Sequence, residues 1–393
     1  MLRIIPTSEN EFAGHWRQLL ARDRYRNPLL SGLPASVRAK QSPDAASPRL
    51  ATRDSGHSAN TRDADTADAA PHYDEHSFII ANNDQPLLGC AITSHTNGQG
   101  QRCLGYRGNA ASIVVNRDSL EKATNNFSDS TVAITQKHMR RLLRNLMPAQ
   151  LEFMDPVHFG LLSPVTHTLL EHGGLPQVST SHVINLQLDL EQLYAAIAPD
   201  YQALIGWRSA SAANESRSEC ALRCLQAPTD KDELLAIMHA WDNELAQIPG
   251  KHSIASSILA AQDKPQLLWQ LLSELLVGEQ GFVVTRSGVQ FGHSLEHMDQ
   301  PAALFVHNGQ RCYFVMANAV SHSESQASIL QLLWRAMGFA RDIGCKEFAL
   351  EGPGLGQSNA QGRVNTPGQS IARPLQVEQF GGVPQACMRV SWS

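Results

Sequence analysis

Glu351 stands out among the residues able to move a proton, because it closes the apolar run Cys345–Leu350 and precedes Gly352-Pro353. A carboxylate at the end of a buried strand can serve a cleft as general acid or base. The structural alternative is a carboxylate satisfied by neighbouring backbone N–H groups. Upstream, His293-Ser-Leu-Glu296-His297 matches the His-x-x-Glu-His pattern of one class of zinc hydrolases, which needs a helix to bring both imidazoles onto one face. Here the stretch follows a hairpin turn and reads as strand, which spaces His293 and His297 by about 13 Å. No metal is therefore expected, and His297 and Glu296 stand as cleft candidates beside Glu351. Gly352-Pro-Gly354-Leu-Gly356 fails the dinucleotide-loop spacing and has no helix after it. The seven cysteines contain no Cys-x-x-Cys pair, so neither a zinc knuckle nor a disulfide framework is indicated.

These groups must be positioned by ordinary folded elements. At 393 residues the chain is long enough for two domains with real cores, and its 42% hydrophobic content is that of a soluble globular protein. A net charge of −5 argues against binding nucleic acid by bulk electrostatics. No apolar run approaches the roughly 20 residues that span a bilayer, and the N-terminus lacks a signal-peptide core. Scattered thiols suit a reducing compartment, and the expected location is cytoplasmic.

The central element is the stretch from Ser325 to Gly352. Ile329, Leu332, Leu333, Ala336, Met337, Ala340 and Ile343 recur at steps of three and four and predict a long amphipathic helix. Ser323 or Ser325 can cap its start, and Gly344 suits a left-handed C-cap. The strand Cys345–Leu350 follows. An earlier stretch, residues 135–156, repeats the unit, with Met139, Leu142, Leu143, Leu146 and Met147 as the apolar face and Leu-Glu-Phe-Met-Asp-Pro as the strand. Two hairpins are also paired: Phe78–Gly89, and Phe282–Gly292 turning at Ser287-Gly288. The pairing predicts an internal duplication, with 76–182 and 183–393 as two mixed α/β units. The boundaries expected are 1–182 and 183–393. Residues 34–71 are polar and Pro-containing, too poor in large apolar side chains to offset their ordering entropy, and read as a disordered insertion. The helix from Thr135 carries Lys137, Arg140, Arg141 and Arg144 away from its apolar face, as a solvated stripe or as a contact for phosphates or an acidic partner. A final pair of strands is expected at Phe380–Pro384 and Cys387–Trp392.

The order of elements, with Val-Ile-Asn-Leu-Gln-Leu-Asp189, Pro199-Asp-Tyr201-Gln-Ala-Leu-Ile-Gly-Trp207, the hairpin at Phe282, the helix–strand unit ending in Glu351 and the closing Phe380-Gly-Gly, resembles the FemAB-like, tandem GNAT-type N-acyltransferases. The resemblance implies an α/β (α+β) fold of two GNAT-like mixed-sheet units. It implies transfer of an acyl or aminoacyl group to an amine of a cell-envelope or surface-glycan precursor. Family members carry Phe-Asp on the strand after the long helix, a Lys before the Phe-Gly-Gly turn and several Arg near Tyr201. Here Ala349 follows Phe348, Gln376 to Gln379 precede Phe380, and only Arg208 remains, so acyl-CoA fits better than aminoacyl-tRNA as donor. On this resemblance Glu351 and His297 are the catalytic candidates. Tyr106, Arg107, Tyr201, Arg208 and Glu296 would line the acceptor cleft, and Asn318, Ser321 and Ser323 would face the donor's phosphates at the helix N-terminus. The alternative reading is a catalytically degenerate relative that only binds a ligand or partner.

Overall fold

The computed structural model describes residues 1–23, 26–31, 73–107, 109–120, 126–156, 162–207, 222–247, 265–286, 301–318, 325–350 and 377–392. The chain forms two compact units. The first is Met1–Arg26 and Leu30–Gln177 together with Met388–Ser393, and the second is Asn27–Leu29 with Val178–Cys387. The expected insertion at 34–71 lies outside the described residues.

In the first unit, β1 (Leu2–Pro6) leads to α1 (Phe12–Arg22), and β2 (Asp74–Glu75) precedes β3 (Phe78–Asn82) and β4 (Gln85–Ala91). The hairpin β3–β4 forms as the sequence predicts, with Asn83 at φ 52° in its turn. Two short strands, β5 (Thr93–Thr96) and β6 (Arg102–Gly105), then precede β7 (Ala111–Val115). Next come α2 (Asp129–Leu146), β8 (Gln150–Pro156) and α3 (Pro164–Glu171). Strands β1, β3, β4 and β7 pair antiparallel in that order, and β7 then pairs parallel with β8. Residues Met388–Trp392 run beside β8, where Arg389 donates to Glu152 at 2.7 Å.

Strand β3 reads Phe-Ile-Ile-Ala because it is buried on both faces. Phe78, Ile80, Leu88, Ile113, Val115 and Phe153 join Met139 and Leu143 of α2, with Val390 from the chain's end, in one core. On β4, Gly89 lies against α1, and a Cβ there would fall 2.7 Å from the Trp16 ring. Helix α2 begins six residues before the sequence expectation, at an N-cap Ser128 whose hydroxyl accepts from Thr131 N–H. Thr131 and Val132 are poor helix formers, and the cap rather than propensity starts the helix there. Met147 departs from its expected place on the apolar face. It is the C-cap, at φ 43°, and it points outward, 80% exposed.

The second unit takes in most of β9 (Leu175–Asn185), a strand that starts eight residues before the alternation at Val183 predicts. Its early residues, Leu175 and Val178, are exposed, so no apolar period marks them. Pro199 divides the next helical stretch into α4 (Leu190–Ala195), closed at its start by a capping box of Asp189 and Gln192, and α5 (Pro199–Ile205). Then come β10 (Leu222–Leu225), α6 (Lys231–Gln247), α7 (Pro265–Val277), β11 (Gly281–Arg286), β12 (Ala302–His307), β13 (Arg311–Asn318), α8 (Ser325–Asp342), β14 (Glu347–Leu350) and β15 (Val383–Trp392). Strands β10, β11, β12 and β13 pair antiparallel in order, β13 pairs parallel with β14, and β14 pairs antiparallel with β9.

The second hairpin differs from expectation. The partner of β11 is Ala302–His307, not the residues just after Ser287-Gly288, which lie outside the described residues. The closing segment is also corrected: a 3-10 turn, Val377–Phe380, leads into the single strand β15 instead of two strands. Helix α8 buries every position its period marks from Ile329 to Ala340, against Phe282, Phe305, Phe314 and Phe348, and Gly344 ends it at φ 93°. The Phe-Gly-Gly turn docks on the junction of α4 and α5. Gln379 O accepts from Ala198 N–H at 2.8 Å, and a Cβ at Gly381 (φ 78°) would fall 2.5 Å from Ala196 O.

Candidate functional site

The feature that could hold a ligand in the second unit is where β13 and β14 part. Their parallel ladder joins only Arg311 to Glu347, Cys312 to Phe348 and Tyr313 to Ala349. Beyond Tyr313, β13 continues to Asn318 with β12 as its one ladder partner among the described residues, while β14 stays paired with β9 through Leu350. The divergence has a local cause. Leu304 is opposite Met316 and Phe305 is opposite Phe314, which leaves Val315 as an extra residue in β13. Such a bulge bends and twists its strand, and it falls just past the last residue paired with β14. One edge of Phe314–Ala317 is thereby turned to the opening.

The opposite end of the pair is clamped. Arg311 is buried, its Nε donates to Glu347 Oε2 at 2.7 Å, and its guanidinium also reaches Gln385 Oε1 at 3.2 Å. Lys346 N–H and Glu347 N–H both donate to Gln310 O, at 2.7 and 3.1 Å. A parallel crossover places the start of α8 at the end where the strands diverge. The walls described there, Phe314 to Ala317 and Phe348 to Leu350, are buried and apolar. Cys312 and Cys345 are buried beneath, and burial holds both thiols well above their ordinary range, so neither is a thiolate nucleophile.

In the first unit β7 and β8 are joined at Ala111–Phe153 and Ser112–Met154, and Ser112 Oγ donates to Met154 O at 2.8 Å. A carboxylate does stand at this strand end. Asp155, 1% exposed, accepts from Ser163 N–H at 2.7 Å and from the Thr166 hydroxyl. Burial raises its pKa, against the lowering effect of these hydrogen bonds. Its oxygen is engaged at the start of α3, so its role is to fasten that helix to β8. The sequence reading passed over this residue, although Asp-Pro followed by a Ser-Pro helix start is a usable signal for it.

Several sequence candidates lie outside the described residues: Glu351, His297, Glu296, Arg208, Ser321 and Ser323, and with them His293. Asn318 is placed as the last position of β13. Tyr106 and Arg107 form a fully buried turn after β6. Tyr106 N–H donates to Asn109 O at 2.6 Å, Arg107 N–H donates to Thr93 Oγ1 at 2.9 Å, and the Arg107 guanidinium sits 5.5 Å from the Tyr73 ring centre. Arg107 takes φ 51°, and Gly105 permits the turn because a Cβ there would meet Asn109 O at 2.4 Å. Tyr201 is buried in the second core, edge-on to Phe380 at 5.8 Å. Trp207 packs against Tyr194 and Trp334. Among the described residues, no three His, Cys, Asp or Glu side chains converge to hold a metal, and no helix is long and apolar enough to cross a membrane.

No protein-family model and no curated protein matches the chain. Among solved structures it is similar to the crystal structure of FemX, at 8% identity over 81% of this chain and 88% of that one, with a TM-score of 0.48. A tandem GNAT protein from the clavulanic acid biosynthesis pathway matches at 10% identity over 100% and 98% of the two chains, with a TM-score of 0.45. The C-terminal domain of a putative lysylphosphatidylglycerol synthetase from Agrobacterium fabrum matches at 10% over 81% and 84%, with a TM-score of 0.42. At these identities and scores no residue role passes from those proteins to this one.

Proposed function

We propose that this chain is an N-acyltransferase built of two tandem GNAT-like units, whose sequence boundary at 182 and 183 falls within β9. The observation that carries the reading is the parallel pair β13–β14, joined at one end and parted at the other by the bulge at Val315. A thioester arm laid along the edge of β13 that no described strand pairs would find backbone hydrogen-bonding groups, and the start of α8 would face the donor's phosphates. The amine attacks the thioester carbonyl, the C–S bond breaks, and the thiol leaves. Glu351, next after β14, accepts the amine proton, which then returns to the departing sulfur. His297 is the second candidate for that transfer. Acyl-CoA is the proposed donor and an envelope or surface-glycan precursor amine the proposed acceptor, with aminoacyl-tRNA the less favoured donor.

The described walls of the opening carry no titratable side chain, which favours a second reading, a relative that binds a thioester without chemistry. Thermal shifts with acetyl-CoA, longer acyl-CoAs and free CoA test both. A shift by thioesters with turnover of an amine supports the transferase, and a shift without turnover supports the second reading. Absence of any shift with the thioesters removes acyl-CoA from both readings and leaves aminoacyl-tRNA, tested by a thermal shift with tRNA.

A further inference from the structure

The first unit carries a basic face that acyl transfer does not use. On α2, Lys137, Arg140, Arg141 and Arg144 are exposed and share one arc, opposite the buried Thr135, Met139 and Leu143. Arg140 is paired with Glu171 at 2.7 Å. Lys137, Arg141 and Arg144 make no ion pair among the described residues. At the helix's end Arg140, Arg144 and His172 border an open groove of about 660 Å³ whose remaining wall is Leu143, Met147, Pro148 and Trp392. Met147 is held clear of the core by its left-handed backbone, 80% exposed. Trp392 turns its indole N–H to Pro148 O at 3.3 Å and presents the rest of its ring to the groove.

We infer that this face docks on an anionic lipid bilayer, with the cations at the headgroups and Met147 and Trp392 entering the interface. Two features favour lipid over the other polyanions. The chain is net negative, at −5, so the positive arc is local and selects a charged surface by orientation. Beside the cations stand the protruding Met147 and a half-buried indole, groups suited to the interfacial layer of a bilayer. A nucleic acid would satisfy the charges and leave Met147 in water. The inference is independent of the proposed acyl transfer.

Co-sedimentation of the full chain with vesicles tests it. Vesicles of phosphatidylcholine alone are compared with vesicles containing about one-third phosphatidylglycerol. Binding is expected only to the anionic vesicles and should fall steeply as salt is raised. Each basic side chain near such a surface is worth about 1 kcal/mol, so Arg141→Gln with Arg144→Gln should weaken partitioning roughly 25-fold. Met147→Ser should weaken it several-fold at unchanged charge. These positions are exposed, and an unchanged melting temperature verifies folding; should the pair melt early, Lys137→Gln alone gives the charge comparison. Equal binding to neutral vesicles, no binding to either, or full binding by the charge variants overturns the inference. Binding of bulk tRNA with no binding to vesicles also overturns it and assigns the face to nucleic acid.

Discussion

Asp155 shows how a buried carboxylate can be read for structure and chemistry together. Its replacement by Ala leaves Ser163 N–H and the Thr166 hydroxyl without their acceptor; the expected cost is about 1–3 kcal/mol of stability, measurable by urea unfolding. Asp155→Asn retains an acceptor oxygen and should be far milder. Because burial raises its pKa, the folded protein holds this proton where the unfolded chain has released it. Stability contributed by the neutral form is present below the ordinary aspartate range and is lost as pH rises through the folded pKa. Asp155→Asn should remove that decline, so the difference in unfolding free energy between the two proteins changes over this window and is flat above it. Glu351 belongs to the opposite class if the proposed chemistry holds. Glu351→Gln keeps its size and removes the base, and turnover per folded molecule should drop roughly 10²–10⁴-fold. Equal turnover takes Glu351 out of the mechanism and leaves His297 or the substrate to move the proton.

Elements were legible where a local rule decides them. The helix α8 and its Gly344 stop follow from apolar spacing and a single glycine, and the β3–β4 hairpin from the polar turn at Asn83-Asp84. The partner of β11 was not legible, since Ala302-Ala-Leu-Phe-Val-His307 is a short apolar run that fits a buried strand or a helix equally, and residues 287–300 intervene. The bulge at Val315 was also hidden, because a bulge is a property of two strands' register and neither sequence alone records it. At the clamped end of the same pair, Arg311 is buried while the Glu347 side chain is 31% exposed. Removing one partner of a buried pair costs more than the pair is worth, and solvent at Glu347 lessens the effect. Glu347→Ala should lower stability by about 1–3 kcal/mol, and Glu347→Gln by less, as read from denaturant midpoints. A silent Glu347→Ala would mean that Gln385 alone satisfies the guanidinium.

The strand order β10-β11-β12-β13-β14 repeats the scheme of β1-β3-β4-β7-β8, three antiparallel steps and then a parallel one. The paired helix–strand stretches supply the last helix and strand of each scheme, α2–β8 and α8–β14. What they did not anticipate is the use made of the last residues: Met388–Ser393 belong to the first unit, where Val390 fills the space beside Gly174 and joins the core of Phe78 and Phe153. Ending the chain after Cys387 should therefore destabilise the first unit selectively. Proteolysis should then cut within 73–177 well before it cuts within 178–387; equal resistance would show that the last strand is dispensable there. The arrangement also sets an order of events at the ribosome. The part of the protein made first is finished last: its missing strand emerges only after the intervening 210 residues, 178–387, have been synthesised. At ordinary translation rates that is a delay of roughly 10–40 s. Throughout it the β8 edge stands open, so a nascent-chain chaperone has a defined place and a defined interval in which to act.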